Sequence, residues 1–349
     1  MVVPRVAAVA HGVTLVVALV AAGCGGTSGP RSGLGPQATT TAVPGSPASS
    51  APVPVTGAAP PATVAPPTAT TIPPVTLAGG GAPRLLVSPH GVVVPVVSGT
   101  GATWTVRTPC GATATSPGTP LAHTTVVLDP GHGGDEVGAI GPNGLTEKAL
   151  NLAVATQAQA ALAAAGVTGV LTRTADYRMT LDARAAVVTA DQPQAMVSIH
   201  HNANPDGPHD GPGTETYYQL RSPTSKRLAG LIWEEVTRAL APYHLAWEGD
   251  TDAGAKYRLT TSGGDYYAVL RAHPATASVL AELAFVTDPA EATVLARPDV
   301  QKAEGQAVAR GIVRWLTTKD PGSGFVTPYP RTEPAGPGGG AGGCTDPPL

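Results

Sequence analysis

The residues best placed to do chemistry in this chain are His132, in the run Leu128-Asp129-Pro130-Gly131-His132-Gly133-Gly134, then Glu147, then His200 in Ser198-Ile199-His200-His201-Asn202. Two imidazoles and one carboxylate from distant segments form the donor set of an open zinc site. Three protein ligands leave the fourth tetrahedral position to water or substrate, whereas a structural site closes all four. Such a centre activates water and polarises a carbonyl, so the chemistry indicated is hydrolysis. The glycines around His132 let backbone approach an ion, and the run lacks the Gly-Lys-Ser/Thr ending that a phosphate loop needs. Taken singly, each residue has a plain structural reading: a polar turn residue, a carboxylate serving the helix dipole, a satisfied core histidine. The weight lies in the set. His200 and His201 are neighbours in a strand and point to opposite faces, so both should not bind one ion; His200 is preferred and His201 is the alternative.

The elements that must position these groups follow from hydrophobic period and punctuation. Residues 125–128 form a short buried-type strand ending at Asp129-Pro130. A helix is expected over 146–165, with Thr146 as its cap and Gly166 as its stop, and a strand over 167–172. A helix over 181–190, a strand over 195–200, a strand over 214–220 and a helix over 225–240 follow. Residues 243–265 are glycine-rich and polar and are expected to form a surface loop. A strand over 279–286 carries Glu282, and a helix over 300–316 closes the series. Strands separated by helices indicate an α/β fold: a mostly parallel sheet flanked by helices, in a single catalytic domain over 121–318. In such a sheet reactive groups gather beyond the carboxyl ends of the strands, which is where His132, His200 and Glu282 fall. Glu147, in the first turn of its helix, can return toward His132 across the glycine loop. Ahead of the domain, β-branched runs over 84–97 and 103–107 read as strands of a small N-terminal β extension spanning 84–120.

The chain has 349 residues, and its first aromatic side chain is Trp104, so packed structure begins late. Arg5, the apolar run 6–20 and Ala21-Ala22-Gly23-Cys24 read as a signal peptide of the lipoprotein type, with Cys24 as the lipidated residue and plain secretion as the alternative. Ala21 stands where Leu is usual in a lipobox. From Thr27 to Pro83 the only charged residue is Arg31, and Pro, Ala and Thr dominate, which is the composition of an extended linker over 25–83. In an extracytoplasmic compartment the remaining cysteines, Cys110 and Cys344, are expected to pair, two free thiols being the alternative. The tail over 319–349 is Pro- and Gly-rich and irregular, pinned only if Cys344 is bonded. A net charge of -3, with no basic cluster interleaved with aromatics, argues against a nucleic-acid partner.

Four ordered segments carry a resemblance. Leu-Asp-Pro-Gly-His-Gly-Gly at 128–134, Gly-Leu-Thr-Glu-Lys at 144–148, Ser-Ile-His-His-Asn-Ala at 198–203 and Leu-Ala-Glu-Leu-Ala-Phe-Val-Thr-Asp at 280–288 resemble the zinc-dependent N-acetylmuramoyl-L-alanine amidases. The strand end Leu171-Thr172-Arg173 and Leu181-Asp182-Ala183-Arg184 also match that pattern, the arginines as structural residues. The likeness spans about 124–316. It implies one zinc ion held by His132, Glu147 and His200, with Glu282 as the catalytic carboxylate and peptidoglycan as the substrate of a monomer. Two departures stand out: His201 where a small residue is usual, and Leu283 where Thr or Ser commonly follows the glutamate. Lys256, Arg258 and Arg271 are candidates for binding stem-peptide carboxylates, with solvated surface charge as the plainer reading. Asp135 and Glu136 are left without a choice between a role behind the ligands and loop solubility. With the leader, it is expected that the protein acts outside the cytoplasmic membrane, anchored through Cys24, with secretion to the wall as the alternative. A non-catalytic wall-binding lipoprotein and a zinc peptidase acting within the stem peptide are the alternatives.

Overall fold

The computed structural model of the protein describes residues 84–330 and 342–349; the leader, Cys24 and the linker expected over 25–83 lie outside the described residues. Among those described, no helix is long and apolar enough to cross a membrane.

Five short strands come first: β1 (Leu85–Val87), β2 (Val93–Thr100), β3 (Thr103–Arg107), β4 (Thr113–Ser116) and β5 (Thr119–Leu121). They pair antiparallel in the order β4-β3-β2-β1-β5. The α/β part follows with β6 (Val126–Pro130), α1 (Glu147–Ala164), β7 (Gly169–Leu171), α2 (Leu181–Asp191), β8 (Ala195–Asn202), β9 (Gly207–Pro208) and β10 (Glu215–Tyr218). It continues through α3 (Pro223–Leu240), β11 (Glu248–Gly249), β12 (Ala255–Lys256), α4 (Ala268–Arg271), β13 (Ala277–Phe285), α5 (Pro289–Leu295) and α6 (Pro298–Thr317).

The central sheet has the order β12-β10-β13-β8-β6-β7. β7, β6, β8 and β13 run parallel, β10 lies antiparallel to β13, and β12 pairs parallel with β10. One face packs on α1, α3 and α6: Leu150, Val154, Ala158 and Leu162 recur every fourth residue of α1 and meet Val197, Ile199, Val308 and Ile312 in one core. The other face is covered partly by α2 and partly by the N-terminal strands, which share a second core in which Leu85, Val93 and Val106 join Val127, Val187 and Met196. The β extension is thus built into the sandwich rather than appended to it.

Three expectations need correction. Thr146 occupies the cap position of α1 but its side chain makes no capping bond; Gly166, at φ +75°, does end the helix, donating to Ala163. Residues 243–265 are not a plain surface loop, for they contribute β11 and β12 and bury Trp247, Asp250, Asp252 and Lys256. The tail is held by more than Cys344. Arg227 donates to the carbonyls of Trp315, Thr318 and Asp320, and Phe325 stacks near Tyr218 while its segment bonds Ala255 along the sheet edge.

Candidate metal centre

His132 stands two residues beyond the end of β6, after Gly131, and adopts φ +59°, an uncommon conformation for a residue with a Cβ. Buried arginines hold it there. Arg184 donates to Pro130 O at 2.8 Å and to His132 O at 2.7 Å, and Arg173 donates to Pro130 O at 3.0 Å and to Gly131 O at 2.9 Å. The Arg184 guanidinium needs a counter-charge in so dry a place. Asp129, on β6, supplies it: its carboxylate accepts from Arg184 at 2.6 Å, Thr172 at 2.6 Å and Ser198 at 2.7 Å. Burial pushes the Asp129 carboxyl up, but Arg184 and the two hydroxyls outweigh it and bring its pKa down to about 2.

Glu147, the first residue of α1, is buried and sits between the two imidazoles. Its Oε2 is 3.1 Å from His132 Nε2 and accepts from Ala139 N at 2.9 Å; its Oε1 lies 2.9 Å from His200 Nδ1. Each of its two oxygens thus faces one imidazole nitrogen. Among the described residues the three form one of two groups whose donor atoms all fall within 4.8 Å of one another. Two glycines make room for them. A Cβ on Gly131 would stand 2.1 Å from the His200 ring, and one on Gly138 would stand 2.4 Å from Glu147 Oε2 and 2.7 Å from His132 Cδ2. The donor set and this cradle fit a single divalent ion. Burial opposes charge on His132, but Glu136 and Glu147 override it and push its pKa up to about 9; at His200 burial prevails and lowers it. Glu147, which burial alone would raise, is pulled well below the ordinary range by its two histidines.

Glu282 lies on β13 in register with His200 on one side and with Glu215 of β10 on the other. Its Oε2 is buried without a hydrogen-bond partner, and burial, reinforced by the charges of Glu147 and Glu215, raises its pKa well above the ordinary carboxylate value. The structure therefore brings His132, Glu147, His200 and Glu282 to one end of the sheet. His201 points to the opposite face, against Asn151 and Glu304, as the period of two requires.

The three cations placed near the polar loop fare differently. Lys256 is neither solvated nor open to substrate: it is buried and ion-paired with Glu215 and Asp252, each at 2.6 Å, which with Asp250 form the second of the two groups. Arg258 is half-buried, stacked 3.8 Å from the Tyr266 ring centroid. Arg271 donates to the carbonyls of Asp265 and Tyr266. It lines a cavity of about 390 Å³ with Gln219 and Leu220, beyond the end of β10. Because β10 is antiparallel to β13, that cavity lies at the far end of the sheet from Glu282. Asp135 pairs with Arg178 at 2.9 Å, while Glu136 faces His132 Nδ1 at 3.4 Å, a charge contact long for a hydrogen bond. Cys110 and Cys344 are joined by a disulfide, and Asp346 accepts from Cys110 N at 2.7 Å. Asn151, Glu215 and Glu304 were not singled out from the sequence; Asn151, one helical turn beyond Glu147, was the one with a readable spacing.

A mostly parallel sheet with two imidazoles and a carboxylate at its carboxyl end defines an α/β protein with a three-donor metal-type site. The chain belongs to the N-acetylmuramoyl-L-alanine amidase family, whose sequence profile matches residues 126–314. It is 35% identical over 195 residues to the uncharacterized protein YqiI of Bacillus subtilis, a match covering 55% of this chain and 85% of that one. To the N-acetylmuramoyl-L-alanine amidase LytC of the same organism it is 33% identical over 198 residues, 56% of this chain and 36% of the relative, so the chain spans about a third of that protein. Among solved structures, the catalytic domain of CwlV, an N-acetylmuramoyl-L-alanine amidase from Bacillus (Paenibacillus) polymyxa var. colistinus, matches with 31% identity and a TM-score of 0.46, covering 56% of this chain and 98% of that one.

Proposed function

We propose that the protein is a zinc-dependent amidase that hydrolyses the bond between the lactyl group of N-acetylmuramic acid and L-alanine in peptidoglycan. The observation that carries this reading is the Glu147 carboxylate held between His132 Nε2 and His200 Nδ1, with Glu282, whose Oε2 is buried and unpartnered, in register beside His200. His132, Glu147 and His200 would hold the zinc ion, which would supply a Lewis acid to polarise the scissile carbonyl and acidify water. Glu282 takes a proton from the attacking water as its oxygen bonds to the lactyl carbonyl carbon. The same carboxyl then hands the proton to the nitrogen as the C–N bond breaks, releasing a lactyl carboxylate and a free L-alanine amine. A carboxyl whose proton affinity is raised by burial suits this exchange near neutral pH. Arg173, Arg184 and Asp129 act behind it by fixing the loop that carries His132.

A leader ending at a lipidated Cys24 and a linker over 25–83 would hold the domain over 121–318 outside the cytoplasmic membrane, acting as a monomer on the wall. About sixty linker residues reach roughly 40–45 Å as a coil. Metal content and turnover test the centre together. The purified protein should hold one zinc ion per chain, and Glu282→Gln should keep that ion while losing at least about 10²-fold in turnover on peptidoglycan. Loss of zinc from the variant, or turnover unchanged, would remove Glu282 from the role of proton carrier.

A further inference from the structure

Glu147 is gripped on its Oε1 by groups from both sides of β8. His200 Nδ1 lies at 2.9 Å on one face, while Asn151 Nδ2, one turn along α1, reaches it at 3.2 Å. The same Asn151 amide is 3.3 Å from Gly131 O, in the loop that precedes His132. With its nitrogen committed to these two acceptors, Asn151 presents Oδ1 to His201 Nδ1 at 2.8 Å. That contact fixes a proton on His201 Nδ1, since an amide oxygen can only accept. His201 Nε2 then meets Glu304 Oε1 of α6 at 3.3 Å. His201, Asn151 and Glu304 are all fully buried, and Glu304 Oε2 has no partner. A buried carboxyl half satisfied and a buried imidazole are costly. Their arrangement as one chain, Glu304 to His201 to Asn151 to Glu147, gives that cost a purpose.

We infer that His201 is a positioning residue of the metal centre: through Asn151 it fixes the Glu147 carboxylate and the Gly131 carbonyl, and Glu304 braces its ring from α6. This rests on the reading of His132, Glu147 and His200 as the zinc ligands. His201 thus extends the support of the ligand shell across the sheet, from β8 through α1 to α6. Hydrogen-bond partners behind ligands commonly govern metal affinity by 10- to 100-fold.

The test is the zinc dissociation constant of the full chain, measured by competition with a chromophoric chelator. The paired substitution His201→Leu with Glu304→Met removes the chain without leaving a buried charge, so the fold should survive. Its zinc affinity should fall at least about tenfold. His201→Asn combined with the same Glu304→Met keeps an N–H donor where Nδ1 stands, again without a buried charge, and should stay within about threefold of the wild type, a rescue that a packing role would not produce. A fall of less than about tenfold in the first paired variant, or failure of the second to restore affinity, would overturn the inference while leaving the centre itself intact. A wild-type chain that binds no zinc would overturn the centre and the inference together.

Discussion

Arg184→Met removes the guanidinium that both neutralises Asp129 and anchors the His132 loop. The pair is almost dry, with 5% and 2% of the two side chains accessible. Breaking one partner of such a pair leaves an uncompensated buried charge, which costs about 3–5 kcal/mol. The pH dependence identifies the cause. The folded-state pKa of Asp129, about 2, lies below its ordinary 3.8, so the ionised carboxylate contributes stability above pH 3.8 and that contribution disappears as pH falls through 2. At about 1.36 kcal/mol per pH unit the gap corresponds to ~2 kcal/mol. Lowering the pH from 7 to 3 should therefore narrow the difference between variant and wild type by at least about 1 kcal/mol, because the wild type loses part of this contribution while the variant is relieved of a lone charge. Urea unfolding of both proteins across that range measures it. A deficit under about 1 kcal/mol at pH 7, or one that does not change with pH, would refute the assignment of Asp129 and Arg184 as the buried anchor of the metal loop.

Two further outcomes follow from the same geometry. Gly131→Ala would drive a methyl group into the His200 ring, so chelator competition should show zinc affinity reduced more than about tenfold, whereas Gly211→Ala, with nothing within 4 Å, should leave it unchanged. Cys110→Ser should lower stability by about 2–4 kcal/mol, because the disulfide closes a chain separation of 234 residues. Thermal melts of wild type with and without reductant should reproduce that difference, and melts insensitive to reductant would count against it.

The centre was legible because its parts obey local rules. The period of two in β8 separates His200 from His201, the glycine run allows the turn that returns Glu147 to His132, and strands ending on the same side place Glu282 with them. The fold was legible in its alternation of apolar strands and amphipathic helices. What escaped depends on pairings across long separations. Lys256 lies in a two-residue strand, and its burial is decided by Glu215, 41 residues away, so a polar sequence read as surface. The docking of the N-terminal strands on α2 is a matter of shared apolar area that no motif records. Phe325 and Arg227 pin a tail whose Pro and Gly content suggested irregular chain alone. Glu304, an ordinary-looking helix glutamate, acquires its meaning only from the side chain of His201 opposite it.

The bond that is cut decides the matter most directly. Purified peptidoglycan, digested by the protein with and without a zinc chelator and analysed by mass spectrometry, should yield intact glycan strands and stem peptides beginning with a free L-alanine amine, and none when zinc is removed. Fragments cut within the stem peptide, or the same products in the presence of chelator, would contradict a zinc-dependent amidase.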